Sequence, residues 1–356
     1  MFKILDRYIF YLFFKTTFST LCMLVSFSSI VKFIDRIRQI QNFSLSLLDI
    51  AYLTILSLPK EIEELFPIVI LISTLWSIGI LEINKETIAI ELSGISRTQI
   101  SASILKSIFV FLLIYIFIIE WIIPKNQKIE YYYLYSKNKN SQILKRNNLW
   151  IKNKNHFIFI YDTLYFDSLS KINIYTLNSN NQIEEIYYIN HAFYKDKKWI
   201  LYKVKKIKIF ENKIIESKKF DKIFWNTDLV PKTIQSIAFP PETLSIINLY
   251  NYIYYLKNNA QVYKKYQIIF WNKLFSPLFI FIIMLTILRI VFGKLYYYNI
   301  KIKILFGISL GFIFYFLNNI CNSITIIYPI PTSLGVFIPA FILIGINLII
   351  KKKIHV

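Results

Sequence analysis

Residues 100–123 read ISASILKSIFVFLLIYIFIIEWII, and residues 124–142 continue PKNQKIEYYYLYSKNKNSQ. The first stretch is long and apolar enough to cross the ~30 Å hydrocarbon core of a bilayer as a helix. The second is punctuated by Lys, Asn and Tyr and cannot. The junction at Trp121–Pro124 therefore marks where a membrane helix gives way to chain that lives in water. Working outward, comparable runs precede it at Tyr8–Val31 and between Asp49 and Leu81, and follow it at Ile268–Val291, Ile304–Ile320 and Leu334–Ile350. Lys15 is the interior charge of the first run and can snorkel to the near interface. The second run is interrupted by Leu58-Pro59-Lys60-Glu61-Ile62-Glu63-Glu64. That interruption predicts an interfacial half, Leu47–Leu58, and a true span at Leu65–Leu81. The fold class expected is a membrane α-helical protein of six transmembrane helices.

Between Pro124 and Tyr266 the pattern changes. Leu149–Tyr161, Ile172–Leu177, Ile183–Phe193, Trp199–Phe210 and Phe220–Trp225 are short runs rich in β-branched and aromatic residues, which read as strands. Tyr194-Lys195-Asp196-Lys197-Lys198-Trp199 reads as a hairpin turn. Together they predict an inserted all-β domain: a sandwich, a jelly roll or a related open sheet. Leu244–Asn258 reads as a helix leading back to the membrane. The expected organisation is residues 1–124 with the first three spans, 125–265 as the β domain and 266–356 with the last three.

The chain has 356 residues, 55% of them hydrophobic, and a formal net charge of +21. Its mean hydropathy is +0.47. Such a charge is compatible with nucleic acid or anionic lipid as a partner. Here the abundance of Ile, Lys, Asn and Tyr, with 7 Gly, follows A/T-rich codons, as in a mutationally biased genome of the endosymbiont kind. Much of the Lys excess is then drift, and no nucleic-acid partner is expected. Cys22 and Cys321 both lie in apolar runs and read as small buried hydrophobes, with no disulfide framework or metal site. The N-terminal run lacks a cleavage pattern and reads as a retained span.

Orientation follows from the charges near the span ends. With the N-terminus cytoplasmic, the inner segments carry Lys3 and Arg7, Lys85 and Arg97, Lys294, Lys301 and Lys303, and Lys351–Lys353, while the short outer loop Asn322–Ser333 carries none. Both termini are then cytoplasmic and the β domain lies outside. Lys32, Arg36 and Arg38, with Asp35, break the trend at the outer end of span 1.

No catalytic constellation is visible. His156, His191 and His355 are scattered, with no HExxH, and no GxxxxGK[ST] phosphate loop is present. The chain is not expected to be an enzyme or its own NTPase. No cofactor is implied, and a transport role requires a separate energy source. Lys32 and Arg36 share a helical face, whereas Arg38 lies nearer the opposite one. Such cations read either as snorkelling anchors or as donors to the anionic groups of a lipid head. Residues 82–99, EINKETIAIELSGISRTQ, hold a short helix beginning at Glu82–Glu86 and ending at Ser93-Gly94. It reads either as a plain connector or as a coupling helix near 82–98 that docks on a cytoplasmic ATPase through exposed Glu86 and Glu91. Pro277, Pro329, Pro331 and Pro339 read as kinks and turn residues.

Several stretches, in order, carry a resemblance: Ile4-Leu5-Asp6-Arg7-Tyr8-Ile9, Ile30-Val31-Lys32-Phe33-Ile34-Asp35, Leu56–Lys60 before Phe66-Pro67, Leu92-Ser93-Gly94, Leu244-Ser245-Ile246, Tyr252, Leu256-Lys257, Trp271, Pro277, Gly307-Ile308-Ser309 and Gly311-Phe312. The chain resembles the LptF/LptG family of lipopolysaccharide-export permeases over essentially its whole length, and its first two stretches are most similar to the LptG branch. The resemblance implies a permease subunit in the bacterial inner membrane, working with an LptF-like sister permease, a cytoplasmic LptB ATPase dimer and an LptC-like bitopic protein. The complex would extract lipopolysaccharide and pass it to periplasmic jelly-roll domains. It further implies that Lys32 faces lipid phosphates, that spans 1 and 5 form a lateral gate, and that Glu86 enters a groove on the ATPase. Arg36 and Arg38 fall where basic residues cluster in the family, but Arg36 stands in place of an uncharged residue and Gln39 in place of a basic one.

Other classes fit less well. Lipoprotein-releasing and efflux permeases place their large outer domain between spans 1 and 2, whereas here it follows span 3. A membrane sensor needs a cytoplasmic output domain, and about six residues follow Ile350. An intramembrane enzyme lacks its catalytic residues here.

Overall fold

The computed structural model describes residues 4–38, 45–137, 149–165, 167–178, 182–210, 213–227, 229–328 and 330–354. Gln39, Pro329 and His355 lie outside them. Among the described residues six helices are long and apolar enough to span a bilayer. They are α1 (Ile4–Ile37), α2 (Leu47–Ile83), α4 (Arg97–Phe117) with its continuation, α8 (Lys264–Phe292), α9 (Ile300–Ile327) and α10 (Thr332–Ile354). A short helix, α3 (Glu86–Leu92), joins α2 to α4.

Two expectations about the spans are corrected. The Leu58–Glu64 stretch does not split span 2: α2 runs unbroken through Pro59 and Pro67. The three glutamates of that stretch find cationic partners in Lys32, Lys273 and Lys60. At 1.5 Å per residue the helix is roughly 55 Å long, more than one bilayer core needs. The helix of span 3 likewise does not stop at Pro124. A π-helical turn at Ile118–Ile122 follows α4, and α5 (Ile123–Lys137) continues beyond it. Pro124, which has no N–H to donate, comes just after this π-helical turn.

The chain forms two compact units. In the helical unit a buried core joins Ile9 and Phe13 of α1, Phe66, Ile70, Leu75 and Ile78 of α2, Ile100, Ile104 and Ile108 of α4, and Ile283, Met284 and Ile287 of α8. Gly307 and Gly311 let α9 approach α2 closely. A Cβ at Gly307 would lie 2.7 Å from a methyl of Leu75, and one at Gly311 would collide with Leu71. This is close packing through small residues four apart, as membrane helices commonly use. Burial is uneven: 17% of the apolar windows of α1 and of α9 is buried, against 61% of that of α2. The outer faces of α1 and α9 are thus left to lipid or to another protein.

The second unit holds β1 (Leu149–Asn153), β2 (His156–Tyr165), β3 (Ser168–Leu177), β4 (Ile183–Lys195), β5 (Lys198–Phe210), β6 (Lys213–Trp225), α6 (Pro231–Ala238) and α7 (Ile246–Asn258). The six strands form one antiparallel sheet in chain order, the open-sheet arrangement of those expected. Leu149–Tyr161 is two strands, not one, because Lys154 takes a left-handed φ of 52° and turns the chain so that Asn153 pairs with His156. The hairpin expected at Tyr194–Trp199 is present. Asp196 and Lys197 both have positive φ, 51° and 61°, which suits the twist of a two-residue hairpin loop.

Sheet and helices share a core. Ile151, Ile158, Ile160, Leu169, Ile172, Ile174, Ile189, Leu201 and Val204 are buried, as are Leu249, Ile253 and Leu256 of α7. Trp199 Nε1 donates to Leu229 O at 2.7 Å, and Tyr255 OH to Lys152 O at 2.8 Å. The inward alternation slips once: buried positions run 169, 172, 174 on β3 and 199, 201, 204 on β5. Left-handed backbone at Lys171 (φ 52°) and Lys203 (φ 51°) resets the side-chain phase at these steps.

Candidate functional site

The helical unit carries two charged clusters. The first is centred on the acidic stretch of α2. Lys32, near the end of α1, places Nζ 3.4 Å from Glu61 Oε1. The Glu61 side chain is fully buried, while Lys32 keeps 32% of its own exposed. Ser57 Oγ, one turn earlier on α2, donates to the same carboxylate oxygen at 3.3 Å. The other oxygen, Oε2, is buried without a hydrogen-bond partner. Two neighbouring acids have cations of their own. Glu63 pairs with Lys273 of α8 at 3.5 Å, and Glu64 with Lys60 at 3.8 Å. One charged turn of α2 thus ties α1 and α8 to it. Buried charges need partners, and with these pairs the run that looked like a break in the sequence continues as helix.

Of the cations expected to act together, Lys32 and Arg36 are both half-buried on α1. Arg38 stands apart. It is largely exposed and 4.0 Å from Asp35, which is itself exposed, so solvent screens the pair and it contributes little. Glu61 and Lys273 went unrecognised in the sequence. The signal was present: charges spaced within a long apolar run need partners, and a helix is the only local structure that satisfies its backbone in lipid.

The second cluster surrounds α3. Glu82 belongs to the last turn of α2; α3 itself starts at Glu86, after Lys85 has taken a left-handed φ of 58°. Gly94, at φ 85°, ends it as expected, its N–H donating to Glu91 O at 2.9 Å. Neither glutamate is exposed as expected; both are half-buried. Glu86 accepts from Tyr8 OH of α1 at 2.6 Å and from Asn84 Nδ2 at 2.9 Å. Glu91 accepts from Arg97 Nε at 2.9 Å and Nη2 at 3.3 Å. The Arg97 hydrogen bond holds the Glu91 carboxyl below its ordinary value. The exposed side chains of α3 are instead apolar, with Ile88 and Leu92 one turn apart. Arg97 also stacks 3.3 Å over the ring of Tyr296 in the α8–α9 connection. Burial, then a hydrogen bond to Glu91, raises the Tyr296 hydroxyl above its ordinary value. Lys303 of α9, almost fully buried, pairs with Glu82 at 2.6 Å and donates to Tyr296 O at 2.8 Å. Hence α2, α3, α4 and α9 are pinned to one another around Tyr296.

A family model described as "Lipopolysaccharide export system permease LptF/LptG" matches residues 7–353. The chain belongs to the LptF/LptG family. It is 32% identical over 357 aligned residues, covering 99% of both chains, to "Lipopolysaccharide export system permease protein LptG" of Escherichia coli K12. The protein of the same name from Haemophilus influenzae is 30% identical over 347 residues, covering 97% of both. Membership in the LptF/LptG family places the two charged clusters in a permease. No group of three or more His, Cys, Asp or Glu residues suited to a metal occurs among the described residues. His156 Nδ1 lies 3.0 Å from Thr176 Oγ1 within the sheet unit, and His191 sits on a separate strand.

Proposed function

We propose that this chain is the LptG-type permease subunit of an ATP-driven lipopolysaccharide exporter in the bacterial inner membrane. The family match carries the reading, because it runs over residues 7–353 and so includes all six spans, α3 and the sheet. The open apolar faces of α1 and α9 support a sister permease of the LptF kind, with the cargo cavity and its lateral gate between the two. One protomer with six spans cannot enclose a lipid of several acyl chains. Both termini are cytoplasmic and the sheet is periplasmic, supported by the positive-inside charge pattern. Residues 1–124 and 266–356 form the transmembrane part and 125–265 the periplasmic part.

In this mechanism Lys32, supported by Arg36 and with a lesser part for Arg38, holds lipid phosphates at the outer end of α1. A half-exposed ammonium with its stem packed on α2 is positioned to donate to a phosphate without leaving its helix. Energy comes from an LptB-type ATPase dimer. α3 docks on it with Ile88 and Leu92 as apolar contacts and Glu86 as the polar one, oriented by Tyr8. The pinned cluster around Tyr296 would pass a displacement of α3 to α9. The exposed Phe193, Tyr202 and Phe224 of the sheet support a hand-off surface for acyl chains, from which an LptC-like protein takes the lipid onward.

The test reconstitutes the chain with its sister permease and ATPase in proteoliposomes and measures ATP-dependent release of lipopolysaccharide to a soluble periplasmic acceptor. Release is expected with all components and is lost without the ATPase. Normal release from complexes lacking this chain would refute the proposal.

A further inference from the structure

The Lys32–Glu61 pair sets a condition on which phosphates Lys32 can accept. Resting on the reading of Lys32 as a lipid-phosphate donor, we infer that Glu61 is a specificity-determining counter-ion that makes the site select phosphomonoester lipids over phosphodiester lipids. Glu61 is fully buried on α2, 3.4 Å from Lys32. Its Oε1 is further held by Ser57, and its Oε2 has no hydrogen-bond partner. The neighbouring cations Lys60 and Lys273 are engaged by Glu64 and Glu63. A lipid phosphate therefore meets an ammonium whose charge is already matched by a carboxylate that cannot move into water.

Charge counting then separates the two lipid classes. A phosphodiester carries one negative charge. Drawing Lys32 to it exchanges one monoanion for another and strands Glu61 as a buried charge without its cation, which is costly. A phosphomonoester carries about −1.5 to −2 charges near neutral pH, because its second ionisation lies near pH 6, and offers three acceptor oxygens. It attracts the ammonium more strongly than the carboxylate does, and can share Lys32 with Glu61 without detaching it. Bulk diester phospholipids, the commonest neighbours of any membrane protein, are refused by the same pair. An unpaired lysine would take both.

The experiment uses the complete complex of this chain, its sister permease and the ATPase in detergent micelles. Dioleoyl phosphatidic acid is the monoester probe and dioleoyl phosphatidylglycerol the diester probe, with identical acyl chains. The ratio of the two bound after equilibration is read by native mass spectrometry. Wild-type complex is expected to retain the monoester several-fold over the diester. Glu61→Gln is expected to shrink the ratio several-fold, mainly by raising diester binding, whereas Glu61→Asp, which keeps the charge, retains the wild-type preference. A carboxylate with a purely structural role would alter thermal stability and leave the ratio unchanged. An unchanged ratio in Glu61→Gln, or no preference in the wild type, overturns the inference. The Lys32→Met/Glu61→Gln double variant tests the reading beneath it. If that variant still binds the monoester as wild type does, Lys32 is not the phosphate donor and the premise itself fails.

Discussion

Lys32 and Glu61 illustrate why a single substitution at a paired membrane charge reports two things at once. Removing Lys32 deletes a candidate phosphate donor, but it also leaves Glu61 fully buried with no cation. Breaking a buried pair from one side is costly, and the partial exposure of Lys32 keeps the cost on the order of 2 kcal/mol. Lys32→Met should therefore lower the thermal unfolding midpoint of the purified protein, and adding Glu61→Gln should restore much of it. Equal midpoints for the single and double variants would show that the pair does not matter to stability. Lys32→Asp is a worse probe, since it sets a second carboxylate against the first. At the same scale, Arg38 and Asp35 are too exposed to matter much for stability, although their charge at the end of α1 looks similar in the sequence.

Elements are joined by a few polar clusters set into apolar packing. α3 is held at both ends, by Tyr8 to Glu86 and by Arg97 to Glu91, and Arg97 continues through Tyr296 toward α9. The Glu91 carboxyl is held below its ordinary value by Arg97. A group depressed in the folded state contributes stability above its unfolded pKa, and that contribution is lost as pH falls through the folded value. Stability should thus decline as pH drops below the ordinary carboxylate value of 4.5. Arg97→Gln should flatten that decline in thermal melts recorded across the acid range, and identical acid profiles would rule the linkage out. α2 and α9 meet instead through Gly307 and Gly311, where any side chain would strike Leu75 or Leu71. In the sheet, the phase of burial is set by backbone at Lys171 and Lys203, positions where lysine gives no warning of left-handed φ.

At the scale of the whole molecule, the two least buried spans, α1 and α9, also carry residues of the two charged clusters. α1 carries Tyr8 near its start and Lys32 near its end, and α9 carries Lys303. A permease that closes its cavity with a sister chain would use these two faces, and an ATPase would grip α3. Glu86→Ala should weaken co-purification of the ATPase partner several-fold. Tyr8→Phe, which keeps the carboxylate and removes only its orienting hydrogen bond, should have a smaller effect. Undiminished co-purification of Glu86→Ala, together with normal ATP-coupled release, would remove Glu86 from the docking surface.

The amino-acid sequence alone determined the six spans, the presence of an inserted sheet and the turn at Gly94, since each depends on local features: hydrocarbon-length apolar runs, β-branched and aromatic clusters, and a residue free to adopt positive φ. It also contained the ordered family stretches and Lys32. Only the tertiary structure decided what Leu58–Glu64 does. Read in isolation, a proline followed by four charges within seven residues ends a membrane helix. In the folded chain those charges meet Lys32 and Lys273 from distant helices, and the pairing that keeps α2 continuous has no local trace. The same holds for Glu86 and Glu91, which look exposed along the chain and are half-buried against Tyr8 and Arg97. Hydrophobic length is a property of neighbouring residues, whereas compensation of a buried charge depends on which helix packs beside it.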